Sequence, residues 1–282
     1  MDNRTFADRS DLERSKPTGH RGLVLGVLCF VYVLNFLDRQ LVSILAKPIQ
    51  DGLHITDSEL GRITGFYFAL FYCFIAIPVG WLADRTNRVK VLSIACGLWS
   101  AATAACGMAA NYGQLVAARM AVGVGEAGGV PPSYAIISDT FPREQRGTAM
   151  GIFNLGPPIG SALGVAFGAS LAAAYDWRAP FLIVGAIGVV TAVLVYIIVP
   201  EPARGRFDPL PAAAAEPAHS FGQAIRAFFG NRILTLAALA SGAANFITYG
   251  LSNFATLFLM REKGMTLEEV AIWYALAVGL GM

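Results

Sequence analysis

Two ionisable side chains stand side by side in VLNFLDRQLV, residues 33–42: Asp38 and Arg39, with Asn35 one turn earlier. A second pair, Arg119 and Glu126, lies in LVAARMAVGVGEAGGVPPS, residues 115–133. Positions 119, 123 and 126 share one helical face, so Arg119 and Glu126 project together with glycine between them. Both stretches are otherwise apolar. Inside a membrane span each Asp or Arg costs about 2.5–3.5 kcal/mol, against roughly 0.3–0.6 kcal/mol gained from each apolar residue. A helix carrying Asp38 and Arg39 is therefore marginal alone and relies on partners in a bundle. At 1.5 Å per residue, Asp38 lies ~15 Å inward from a helix end near Pro48 and Arg119 ~10 Å inward from one near Tyr112. Glu126 lies ~20 Å in by the same measure. An Asp38–Arg119 pair is feasible, with Arg39 available to Glu126. An Asp that exchanges an arginine partner for solvent takes up and releases a proton as its surroundings change. Asp38 is the first candidate for proton coupling and Glu126 the second. Arg39 does not deprotonate usefully and is assigned to binding a substrate anion or holding Glu126. The alternative is a static structural ion pair.

The elements that must position these groups are membrane spans. Hydrophobic residues make up 55% of the chain and charged residues 14%, where a soluble domain carries about 25% charged. Eight apolar segments follow one another, roughly 22–47, 59–83, 89–110, 113–139, 147–174, 180–199, 232–260 and 268–282. They read as helices, because a spanning segment must satisfy its own backbone hydrogen bonds. Cys29, Cys73, Cys96 and Cys106 all fall in apolar runs without framework spacing, and read as small buried hydrophobes. His20, His54 and His219 lie outside the spans and form no metal cluster, so neither a metal nor a cofactor is expected. The first twenty residues are polar and resemble no cleavable signal.

Residues 200–231 interrupt the pattern, opening PEPARGRFDPLPAAAAEPAHS, a Pro/Ala-rich linker. Its end, SFGQAIRAFFGNR, puts Phe221, Ile225, Phe228 and Phe229 on one helical face. That pattern fits a short helix on the membrane surface or the ragged start of the next span. Lys and Arg outside the spans divide fourteen to one side and five to the other. The richer side holds the N-terminal tail (Arg4, Arg9, Arg14, Lys16, Arg21), which places the N-terminus in the cytoplasm.

The chain also repeats itself. Asn35-Phe36 matches Asn245-Phe246, and the capping-box pair Thr56 and Glu59 matches Thr266 and Glu269, all at an offset of 210. This fits six helices duplicated in parallel. At the same offset Asp38 and Arg39 correspond to Thr248 and Tyr249, so the second copy lacks the charged pair. Asn245, Tyr249 and Asn253 recur every four residues, a polar stripe that either lines a cavity or bonds between helices. The expected organisation is a tail (1–21), a six-helix bundle (22–199), a cytoplasmic linker (200–231) and the first two helices of a second bundle (232–282).

GWLADRTNRVKVL, residues 80–92, resembles the signature loop of the major facilitator superfamily, G-x-L-A-D-R-x-G-R. Gly80, Leu82, Ala83, Asp84, Arg85 and Arg88 match, and Asn87 replaces a glycine. Gly80 would permit close helix approach, Asp84 would pair with a basic residue, and Asn87 would tolerate a left-handed turn. Arg119, Gly123 and Gly125 resemble the superfamily's R-x-x-x-G-x-G in its fourth helix. The overlapping GVGEAG is a formal G-x-G-x-x-G, but a dinucleotide fingerprint needs a preceding strand. DTFPREQRG, 139–147, reads as a turn whose Asp139 pairs with Arg85 or Arg88, or stays solvated. NLGPPIGSALG, 154–164, gives Gly/Pro-rich flexibility and partly resembles an antiporter motif, with Ser161 in place of its last glycine.

NFLDR, the GE of the fourth helix and the D-x-F-P…R after it resemble the spinster family, well over residues 20–200 and loosely beyond. The resemblance implies an all-α, polytopic bundle of the major facilitator type, ending here after about eight spans. It implies a secondary carrier for a lysophospholipid-like lipid or an organic acid, working with protons by alternating access. Gly80, Asp84, Arg85, Arg88 and Asp139 would form its conformational switch, and Asn35, Arg39, Arg119, Asn245, Tyr249 and Asn253 would bind substrate or pair ions. The implied partners are the solute, protons and membrane lipids, not nucleic acid, and the implied site is a bacterial inner membrane. The rivals are a proton-independent facilitator of the same fold, a membrane-embedded enzyme and a non-transporting receptor or fragment. The enzyme lacks H-E-x-x-H, G-x-S-x-G and any intramembrane histidine. A chain of this length alone is expected not to complete alternating access.

Overall fold

The glycines of the fifth apolar segment show why the helices pack as they do. In this computed structural model, which describes residues 21–207 and 221–281, a Cβ at Gly160 would lie 2.3 Å from the carbonyl oxygen of Val33, and one at Gly164 would lie 2.8 Å from that of Leu37. The segment forms a groove into which the first helix presses, backbone against backbone. Its glycines therefore serve contact, where the sequence suggested flexibility.

The first long helix, α1, runs Arg21–Ile44, and the short α2, Ala46–Leu53, follows it. Then come α3, Asp57–Gly61, a π-helical stretch, Arg62–Tyr67, and α4, Phe68–Ala83. The next helices are α5, Arg88–Gly107, α6, Tyr112–Glu126, and α7, Val130–Thr140. α8, Arg143–Phe153, α9, Gly156–Ala174, and α10, Arg178–Ile198, complete the first bundle. Beyond the linker lie α11, Phe221–Gly230, and α12, Arg232–Arg261. The last elements are α13, Leu267–Glu269, a second π-helical stretch, Val270–Tyr274, and α14, Ala275–Gly281. No strand occurs among the described residues. The basic tail up to residue 20 and linker residues 208–220 lie outside them.

Six of the helical runs are long and apolar enough to cross a membrane. The fourth expected span is not one helix, because Pro131 and Pro132 cannot donate to the preceding turn. α6 stops at Glu126 and α7 restarts at Val130. Pro157 and Pro158 likewise open α9 after a break at Asn154 and Leu155. The eighth segment is a run of α13, π-helix and α14.

The core forms where α5 lies along α10 and α9 along α1, with α6 inserted between α4 and α5. Leu28, Leu41, Ile44, Leu92, Trp99 and Phe181 are buried in it. α12 rests against α1, and α14 against α9. The internal repeat appears as structure. Thr56 and Thr266 each close a capping box with Glu59 and Glu269, and each box leads within a few residues into a π-helical stretch. π-segments inside helices concentrate at functional sites.

Candidate functional site

Asp38, Arg119 and Glu126 are buried at 1%, 2% and 0% exposure, and Arg39 is half-buried beside them. α1 supplies Asp38 and Arg39, and the glycine-rich α6 supplies Arg119 and Glu126. α6 can press against α5 because a Cβ at Gly125 would stand 2.5 Å from the backbone nitrogen of Trp99. The Arg39 Nε donates to the Glu126 carboxylate at 2.6 Å. The Arg119 guanidinium lies 3.9 Å from Asp38, beyond hydrogen-bond range, while Thr103 Oγ1 donates to the same Asp38 oxygen at 2.8 Å. Depth and helical face therefore put these four groups together in the two pairings the sequence allows. Each acid keeps one carboxylate oxygen without a hydrogen-bond partner among the described residues, as does Arg119 at Nε and Nη1.

Aromatic rings wall the cluster. The Arg39 guanidinium stands 5.0 Å from the ring centre of Phe36, 5.1 Å from Phe68 and 5.2 Å from Tyr72. Phe68 also lies 5.2 Å from the Arg119 guanidinium. Cation–π attraction gains strength where water is excluded. Thr103, Phe68 and Tyr72 were not singled out in the sequence. The available signals were a hydroxyl inside an apolar segment and two aromatics four residues apart.

The polar stripe of α12 divides. Arg39 donates to the Tyr249 hydroxyl at 3.2 Å. Asn245 is exposed and donates to the carbonyl of Ser241 in its own helix at 2.9 Å, so it stays outside the cluster. The Asn253 side chain lies outside the described residues. Asn35, buried one turn from Asp38, borders a cavity of about 10 Å³ with Tyr32, Trp99 and Ser133.

At the end of the bundle carrying the signature loop, Arg88 pairs with Asp139 and donates to Glu201 at 2.9 Å and to the carbonyl of Pro202 at 2.6 Å. Glu201 also accepts from the Val89 backbone at 2.9 Å, and Asp139 accepts from the Gly205 backbone at 3.0 Å. Arg204 donates to the carbonyls of Asp84, Ala83 and Thr86, satisfying the end of α4. The first linker residues are thus bound to both neighbouring loops. Arg85 does not take Asp139; its guanidinium lies 4.4 Å from the ring centre of Trp81.

Three expectations for this loop change. A Cβ at Gly80 would meet nothing within 4 Å, so packing among the described residues does not require a glycine there. The Asp84 carboxylate makes no hydrogen bond or ion pair among the described residues, and only its backbone carbonyl is engaged, by Arg204. Asn87 is not left-handed: at φ −71° it caps α5, its side chain accepting from the Lys90 backbone at 2.7 Å. At the other end of the bundle Arg261 forks onto Asp57 at 2.9 and 3.0 Å and reaches Gln50 at 3.0 Å. That contact ties the end of α12 to the start of the second span.

No group of three or more His, Cys, Asp or Glu among the described residues is placed to hold a metal. The arrangement is a buried charge cluster joining two helices of the first bundle to one beyond the linker.

The family model for the Major Facilitator Superfamily matches residues 28–282. The chain is 33% identical to the "MFS-type efflux pump" of Mycolicibacterium smegmatis over 90% of its own length and 58% of that protein's. It is 32% identical to the "Sphingosine-1-phosphate transporter SPNS2" of Xenopus tropicalis, covering 84% of this chain and 46% of that one. Among solved structures, a bacterial homologue of the human lysosomal transporter Spinster, inward-facing and unoccupied, superposes with a TM-score of 0.83 at 33% identity. That match covers 94% of this chain and 61% of the other. The chain thus spans about half to three-fifths of the length of these relatives. An all-α membrane bundle with this signature loop and these relatives leads to one assignment: the chain belongs to the Major Facilitator Superfamily, among its spinster-like members.

Proposed function

We propose that this chain is the first bundle, linker and opening helices of a secondary carrier that moves a small amphipathic or anionic solute by proton-coupled alternating access. Residues 22–199 are the first six-helix half, 200–231 the linker and 232–282 the start of the second half. The carrying observation is the buried cluster of Asp38, Arg119, Arg39 and Glu126, two acids and two bases packed together with unsatisfied carboxylate oxygens. Buried charges that are incompletely hydrogen-bonded are costly, and intramembrane ionisable groups mark ion and substrate pathways. Asp38 carries the proton, with Glu126 as the second acid. Arg39 meets the solute's anionic group, and Phe36, Phe68 and Tyr72 meet its apolar part. Asn35, Arg119 and Tyr249 complete the proposed lining, while the self-bonded Asn245 contributes less. Asp84, Arg85, Arg88 and Asp139 serve the conformational switch.

The relatives' names support the amphipathic, anionic class. They include a sphingosine-1-phosphate transporter and a hexuronate transporter. The lysine and arginine bias supports a cytoplasmic N-terminus, and the bacterial relatives support a bacterial inner membrane. The test is uptake of a sphingoid phosphate or a sugar acid into vesicles holding both halves of the carrier, with and without an imposed pH gradient. Accumulation that follows the gradient supports the reading. Equal, non-concentrative flux under both conditions leaves a proton-independent facilitator.

A further inference from the structure

The linker ends in a helix exposed along its described length, with its large apolar side chains gathered on one face. α11 is ten residues long and packs chiefly on the start of α12. Its junction is fixed. Asn231 caps α12, accepting from the backbones of Ile233 at 3.0 Å and Leu234 at 3.3 Å. Thr235 Oγ1 reaches back to the carbonyls of Phe228 and Phe229 at 3.4 and 3.5 Å. α11 is therefore a separate element held at a set angle, and not the frayed beginning of the span.

Ile225, Phe228 and Phe229 share one face and are exposed, Phe229 at 67%. At 100° per residue, Ala227 and Gly230 fall on the opposite face, Arg226 falls at the edge, and Arg232 follows directly. Beyond Asn231 and Arg232, exposed apolar side chains resume at Ile233, Leu234 and Leu236, the first turn of a membrane span. Two phenylalanines and an isoleucine beside two arginines, at the level where a span leaves the bilayer, match an anionic headgroup surface. The rings enter the boundary of headgroup and acyl chain, and the guanidinium groups meet phosphate.

We propose that α11 docks on anionic phospholipid headgroups of the leaflet next to the linker, anchoring the link between the two halves. This goes beyond the transport reading and requires only that α12 spans the membrane.

The test uses the protein with Cys29, Cys73, Cys96 and Cys106 replaced and a single Phe229→Cys carrying an environment-sensitive fluorophore. It is reconstituted in phosphatidylcholine vesicles with or without phosphatidylglycerol, and Ala227→Cys is labelled for comparison. The expected result is blue-shifted emission at 229, quenched several-fold more by shallow brominated lipid than by aqueous iodide, with the opposite pattern at 227. Phosphatidylglycerol should enhance the effect at 229, and Arg226→Gln with Arg232→Gln should remove that enhancement. Iodide-quenched emission at 229 would overturn the proposal, as would blue-shifted emission that brominated lipid does not touch, which would mean that protein covers the face. A lipid response indifferent to phosphatidylglycerol and to the arginines would overturn the anionic part.

Discussion

Arg39 and Tyr249, 210 residues apart, are equivalent positions of the internal repeat, and in the folded chain they touch, guanidinium to hydroxyl, at 3.2 Å. A pseudo-twofold relation between two bundles brings equivalent positions together only near its axis. In a carrier of two such bundles, this contact would lie beside their axis. The first copy supplies the charge and the second supplies a neutral acceptor.

Tyr249→Phe removes that contact and leaves the ring. A hydrogen bond to a charged group is worth about 1.5–3 kcal/mol. In a carrier with both halves, transport should slow several-fold with membrane insertion unchanged. Arg39→Lys should be more damaging, because a lysine cannot fork between Glu126 and Tyr249. Initial rates at matched expression check both, and a wild-type rate for Tyr249→Phe would remove the hydroxyl from the account.

Arg88 is 4% exposed and serves Asp139, Glu201 and the carbonyl of Pro202. Arg88→Met leaves the two acids without their cation, and breaking a buried pair from one side costs about 3–5 kcal/mol. Glu201→Gln should cost about 1–3 kcal/mol. Lys90→Gln, exposed on the same helix, should stay within about 0.5 kcal/mol. Thermal unfolding in detergent orders the three, and equal stability of Arg88→Met and Lys90→Gln would contradict the network.

Asp84→Asn should impair transport while leaving insertion and stability nearly intact, because its carboxylate supports no contact among the described residues. Turnover equal to wild type would reduce the loop to a topogenic signal.

Single cysteines at Asn87 and Asn111, in a cysteine-free background, should label from opposite sides of the membrane. These positions precede α5 and α6 at opposite ends of one span. Labelling from the same side would overturn the order of the spans.

Legibility in the sequence followed the range of the interactions. Apolar runs gave the helices, and the offset between Thr56 and Thr266 gave the repeat, because capping is local. Helical face and depth sufficed to align Asp38 with Arg119 and Arg39 with Glu126, since both pairs lie on long, regular helices. Pro131 and Pro132 marked the break in the fourth span, but hydropathy ran smoothly across it. Glu201 was missed because it meets Arg88 across 113 residues through an irregular linker, where no periodicity guides the eye. Asn245 bonds the Ser241 carbonyl of its own helix. A polar side chain on a helix can bond its own backbone as readily as a neighbour, and spacing does not tell the two apart.

Asp38 is the proposed proton carrier. The most direct measurement is solute accumulation by Asp38→Asn in vesicles holding the two-half carrier, under an imposed pH gradient, beside counterflow exchange without one. Loss of gradient-driven accumulation with exchange retained is the predicted result. Accumulation with the wild-type pH dependence would contradict it and move the proton to another group, with Glu126→Gln the next variant to measure.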